Sequence, residues 1–118
     1  MDAILKDRAI LIVEDEPLIV MDITQDFEGT GAALTTTNSL HQAMVLVNHD
    51  GLSGAILDHS LGDGDSALLY ARLTERGIPF LIYSGFETVG GASAGAPHVS
   101  KPAGRGELVA AMEKLILN

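Results

Sequence analysis

Two hydrophobic patterns alternate along the chain. Short continuous apolar runs occur at Ala9–Val13, at Ala55–Leu57 ending on Asp58, and at Phe80–Tyr83. Runs of this length bounded by glycine, proline or polar turns read as strands covered on both faces. Between them the apolar residues recur at helical spacing. Pro17 can open a helix carrying Ile19, Ile23 and Phe27, stopped by Gly29 and Gly31. Ala32–Thr37 is a weaker strand, and Asn38 is the expected N-cap of a helix presenting Leu40, Ala43, Met44 and Val47.

The run ending at Asp58 lies between Gly51 and Gly54 on one side and Gly62 and Gly64 on the other. Asp65 or Ser66 is then expected to cap a helix with Leu68, Leu69 and Leu73 on its apolar face, stopped at Gly77 before Pro79 leads into the next strand. Residues 84 to 95 contain four glycines. A helix there is expected to be short or frayed, since each glycine is less favourable than alanine by up to about 1 kcal/mol. His98–Ser100 reads as a short fifth strand. Residues 105 to 117 place Leu108, Ala111, Met112, Leu115 and Ile116 on one face of a final helix. Five strands alternating with about five helices, without repeat or linker, predict a doubly wound parallel sheet in one domain spanning residues 1–118.

Composition narrows the function. The chain has 118 residues, 47% of them hydrophobic, which suffices for one core. Seven basic against sixteen acidic residues give a net charge of −9, which opposes direct binding to nucleic acid or anionic membranes. Without cysteine there can be neither disulfides nor thiolate metal sites. The N-terminal stretch lacks a signal-peptide layout and a bilayer-length apolar run, so a soluble cytoplasmic protein is expected. The last helix runs to Asn118 without a linker, which favours a stand-alone protein.

The strand ends carry the chemistry. Glu14, Asp15 and Glu16 follow the first strand, Asp58 the third, Ser84 the fourth and Lys101 the fifth. A parallel sheet brings all of these to its carboxyl edge, where ligands bind in open α/β folds. Carboxylates gathered there repel one another unless a cation joins them, and oxygen donors without His or Cys suit Mg²⁺. Such an ion commonly bridges to phosphate oxygens, while an ammonium such as Lys101 and a hydroxyl such as Ser84 can hold the others.

These residues resemble the receiver domain of bacterial two-component response regulators, across essentially the whole chain. "VEDE" is similar to the family's acidic pair, "LDHSLGDGDS" to its phosphoacceptor loop, "YSG" to its hydroxyl position and "SKP" to its lysine. The resemblance implies a flavodoxin-like (βα)5 fold with strand order 2-1-3-4-5. It implies Asp58 as phosphoacceptor, assisted by Lys101 and Ser84. Mg²⁺ would be held by Asp15, Asp58 and the Ser60 backbone carbonyl, with Glu14 acting through water. The phosphoryl donor would be a sensor histidine kinase or histidine phosphotransfer protein, and the chain would signal by conformational change rather than act as an enzyme. In the family the Lys-Pro bond is usually cis.

Three positions depart from the family's pattern. His98 stands where a tyrosine or phenylalanine switch is usual, paired with Ser84. Gly62 replaces a frequent proline, and the stretch after Ser84 is rich in glycine. These departures touch signal output, not phosphorylation.

Each residue also has a plainer explanation. Asp58 alone could be a helix cap, Lys101 a surface lysine, Ser84 a turn serine and Glu16 a first-turn acid complementing a helix dipole. The joint placement of Asp58, Lys101 and Ser84 with the acidic pair at strand ends favours the chemical reading, while Glu16 keeps the plainer one. His41, His49 and His59 show no metal-ligand spacing. "GDGDS" lacks the third glycine of a dinucleotide fingerprint, and Asp63–Asp65 is too short for a calcium loop. Two rival classes remain. A small aspartyl-phosphate phosphatase would want a second aspartate where Ser60 stands. A flavodoxin-like binding module would meet an acidic loop that repels a cofactor phosphate.

Overall fold

The computed structural model describes residues 4–49, 51–58, 66–84 and 96–117. Strands β1 (Ala9–Val13), β2 (Ala33–Thr37), β3 (Leu52–Asp58), β4 (Phe80–Ser84) and β5 (His98–Ser100) form one five-stranded sheet in the order β2-β1-β3-β4-β5. Every pairing is parallel. Helices α1 (Pro17–Asp26), α2 (Leu40–Val47), α3 (Ala67–Glu75) and α4 (Glu107–Leu117) connect or follow the strands. The glycine-rich stretch in which a further, frayed helix was expected lies outside the described residues, except for Ser84. So do Ser60, Gly62 and Asp65.

The continuous apolar runs are the central strands, and the two-sided burial expected of them is observed. On one face Leu11, Val13, Ala55, Leu57, Phe80 and Ile82 meet α2 and α3 through Leu40, Ala43, Val47, Leu69 and Leu73. On the other face Ile10, Ile12, Ile56, Leu81, Tyr83 and Val99 meet α1 and α4 through Ile23, Phe27, Leu108 and Met112. Successive side chains point to opposite faces, so each run feeds both cores. Leu5, ahead of β1, is also buried in the second core, a contribution its sequence context does not reveal.

Several local expectations are corrected. The N-cap of α2 is Ser39, not Asn38; its hydroxyl accepts the Gln42 N–H at 3.1 Å. At α3 the N-cap is Ser66, one of the two residues expected there, but it makes no side-chain cap bond. The apolar face of α3 is Leu69, Tyr70 and Leu73, whereas Leu68 is 67% exposed. Tyr70 takes the inward place because its ring stacks on Phe80, with centroids 5.5 Å apart. Helix α4 starts at Glu107 rather than 105, because Gly106 has φ +81, a left-handed conformation that glycine tolerates. At Gly54 α4 packs so closely on β3 that an added Cβ would lie 2.7 Å from Met112 Sδ.

Among the described residues no helix is long and apolar enough to cross a membrane.

Candidate phosphoacceptor and metal site

The carboxyl ends of β1 and β3 lie side by side, Val13 pairing with Leu57, so the residues that follow them share one edge. Glu14, Asp15 and Asp58 each bring a carboxylate oxygen within 4.8 Å of the others. Glu14 is 2% and Asp58 7% exposed, while Asp15 faces solvent. The Glu14 main chain is tied to β2 by its N–H, which donates to the Thr37 carbonyl at 3.0 Å. Its Oε2 accepts the Glu16 N–H at 3.2 Å.

Lys101 reaches the same cluster from β5. Its N–H donates to the Ser84 carbonyl at 2.9 Å, extending the β4–β5 pairing past Ser84 and Ser100. The ammonium lies 2.9 Å from Glu14 Oε1 and donates to Asp58 Oδ1 at 3.4 Å. It also sits 5.5 Å from the centroid of the Tyr83 ring. The Tyr83 hydroxyl accepts the Ala103 N–H at 2.9 Å, securing the loop after the cis Lys101–Pro102 bond. Sequence reasoning missed Tyr83; a tyrosine in an apolar run carries no local sign that it will lie under a lysine that follows the next strand.

Burial raises the Glu14 carboxyl above the ordinary carboxylate range, and the negative charge of Asp58 adds to this; the Lys101 ammonium and the Glu16 N–H oppose it without cancelling it. For Lys101 burial acts downward, but its contacts with Glu14 and then Asp58 outweigh it and raise the ammonium above its usual value. It therefore stays charged.

The donor set fits a small, hard divalent cation. Although the ammonium lies close, its approach gives Glu14 Oε1 no hydrogen bond of good geometry, so this buried oxygen keeps acceptor capacity. Among the described residues, three clustered carboxylates beside the Lys101 ammonium leave net negative charge where Mg²⁺ would find oxygen ligands.

Of the residues singled out in the sequence, Glu14, Asp15, Asp58 and Lys101 come together. Ser84 is buried at the end of β4, one residue past the Asp58–Tyr83 pair. His98 is exposed on β5, opposite Ile82.

No protein-family model matches the chain, and no curated protein matches it by sequence. Solved structures do. SdrG from Pseudomonas melonis Fr1, in its BeF3-activated conformation, is 30% identical with a TM-score of 0.77, over 94% of this chain and 98% of that one. A response regulator receiver protein from Sinorhizobium medicae WSM419 is 21% identical with a TM-score of 0.84, over 96% and 97% of the two chains. The receiver domain of sensor histidine kinase PA1611 from Pseudomonas aeruginosa PAO1, with a magnesium ion coordinated in its active site cleft, is 20% identical with a TM-score of 0.82, over 94% and 98%. With its 2-1-3-4-5 sheet and the acidic cluster facing a lysine, this chain belongs to the receiver-domain family of response regulators.

Proposed function

We propose that the chain, as one domain over residues 1–118, is a cytoplasmic phosphorylatable receiver that takes a phosphoryl group onto Asp58 from a phosphohistidine of a sensor histidine kinase or histidine phosphotransfer protein. The observation that carries this reading is the convergence of Asp58 with Glu14, Asp15 and Lys101 at one sheet edge.

An Asp58 carboxylate oxygen attacks phosphorus as the P–N bond to the donor imidazole breaks, and the imidazole leaves with the bond's electron pair. The chain's part is positioning and charge. Strand β3 holds Asp58 at its end, and the Lys101 ammonium, already hydrogen-bonded to Asp58, is within reach of an oxygen of the arriving group. Asp15, Asp58 and the Ser60 carbonyl would hold Mg²⁺ directly, and Glu14 through water. The ion, when bound, supplies positive charge beside the phosphoryl oxygens. Ser84 and His98 relay the change as a switch. The product is a signalling state rather than a released compound, so the chain is not a turnover enzyme.

The test is labelling by acetyl phosphate with Mg²⁺. Wild type should be labelled and Asp58→Asn should not; undiminished labelling of the variant would remove Asp58 from this role.

A further inference from the structure

Strand β2 lies at the sheet edge, and its residues are exposed or half-buried except the last, Thr37, which is 6% exposed. A buried hydroxyl needs partners. Thr37 Oγ1 has two: it donates to Gln42 Oε1 at 2.6 Å and accepts the Ser39 N–H at 3.2 Å. Ser39 and Gln42 have the spacing of a capping box, in which the glutamine side chain returns directly to the N–H of the cap residue. The forward half is made, from Gln42 N to Ser39 Oγ at 3.1 Å. The return half runs through the Thr37 hydroxyl, so the start of α2 is fastened to the end of β2. The carbonyl of the same threonine accepts the Glu14 N–H at 3.0 Å. Glu14 and Asp15 share with Thr37, Asn38 and Gln42 a cleft of about 350 Å³.

We propose that the Thr37 hydroxyl and the Gln42 side-chain amide are positioning residues for the cation site. They hold the end of the edge strand, and through it the main chain at Glu14, so that the Glu14 and Asp15 carboxylates keep the spacing a small cation requires. This rests on the reading of Glu14, Asp15 and Asp58 as a Mg²⁺ site. Mg²⁺ demands near-octahedral oxygen geometry at about 2.1 Å and tolerates little displacement of its ligands. Partners that orient a ligand directly change metal affinity by about 10- to 100-fold; Thr37 acts one link further away, through the backbone, so about fivefold is expected.

The experiment is Mg²⁺ titration followed by amide chemical shifts in wild type, Thr37→Val, Thr37→Ser and Gln42→Ala. Thr37→Val should bind about fivefold more weakly. Thr37→Ser, which keeps the hydroxyl, should bind as wild type does. Gln42→Ala should be weakened in the same direction; its own side chain is exposed, so the fold should be retained, with a small drop in metal-free melting temperature because the buried Thr37 hydroxyl loses its acceptor. Wild-type affinity in Gln42→Ala overturns the proposal, as does a Thr37→Ser variant no better than Thr37→Val. Should Thr37→Val fail to fold, Gln42→Ala decides alone. Absence of any Mg²⁺ response in wild type would instead defeat the cation reading itself, and this inference with it.

Discussion

The Lys101 ammonium lies 2.9 Å from Oε1 of Glu14, a residue only 2% exposed, and so offsets a carboxylate charge that water barely reaches. Removing one partner of a buried pair leaves the other uncompensated, at a cost of about 3 kcal/mol. Lys101→Met keeps much of the stem over Tyr83 and removes the charge. The metal-free variant should melt well below wild type. Because Mg²⁺ would replace the missing positive charge, its stabilising effect should be larger in Lys101→Met than in wild type. Melting curves with and without Mg²⁺ check this, and an equal gain in both proteins would count against it.

Asp15 is the exposed member of the carboxylate cluster and has the least structural work to do. Mg²⁺ should raise the melting temperature of wild type by mass action, and Asp15→Ala should abolish most of that rise while barely changing metal-free stability. If wild type and variant respond alike to Mg²⁺, Asp15 is not a ligand.

The raised Glu14 carboxyl makes a signed prediction for pH. Between its ordinary value of about 4.5 and the raised value, the folded state holds a proton that the unfolded state has released. The cost of burying the charged form is fully present above this window and absent below it. This group therefore makes the metal-free protein more stable as pH falls through the window, and Glu14→Gln should remove that component from the difference between the two stability profiles. Proton and cation compete for the same carboxylate, so Mg²⁺ affinity should fall over the same window. Binding that is flat with pH there would show that Glu14 takes no part in holding the ion.

His98 is exposed on the short edge strand β5, with the shape and polarity of an imidazole where the family has an aromatic ring. Turning it inward on phosphorylation would remove a polar ring from water, and a buried imidazole without a hydrogen-bond partner is unfavourable where a more apolar ring is not. His98→Tyr should therefore show a larger activated change than wild type while Asp58 still accepts phosphate. Beryllofluoride-induced amide shifts of both proteins are the measurement; equal shifts would leave His98 a structural residue.

The sequence by itself determined the order of elements, because the signals are local. A run such as Ala9–Val13 has no polar residue to place outward, so it must be covered on both faces, and Gly77 and Pro79 mark the turn into β4 within three residues. From five strands in parallel, three of them such runs, it followed that Glu14, Asp15, Asp58, Ser84 and Lys101 end at one edge, whatever the detailed packing. Tertiary structure decided what depends on distances between remote residues. It made Tyr70 rather than Leu68 the inward side chain of α3, because Phe80 supplies a ring to stack on. It set the Lys101 ammonium against Glu14 as well as Asp58, and over Tyr83, because β5 packs beside β4 and the peptide after Lys101 turns back to the Tyr83 hydroxyl. It also turned an ordinary S-x-x-Q cap into a tether between α2 and β2, since the hydroxyl that relays it belongs to a residue outside the motif and is buried only once β2 has joined the sheet edge.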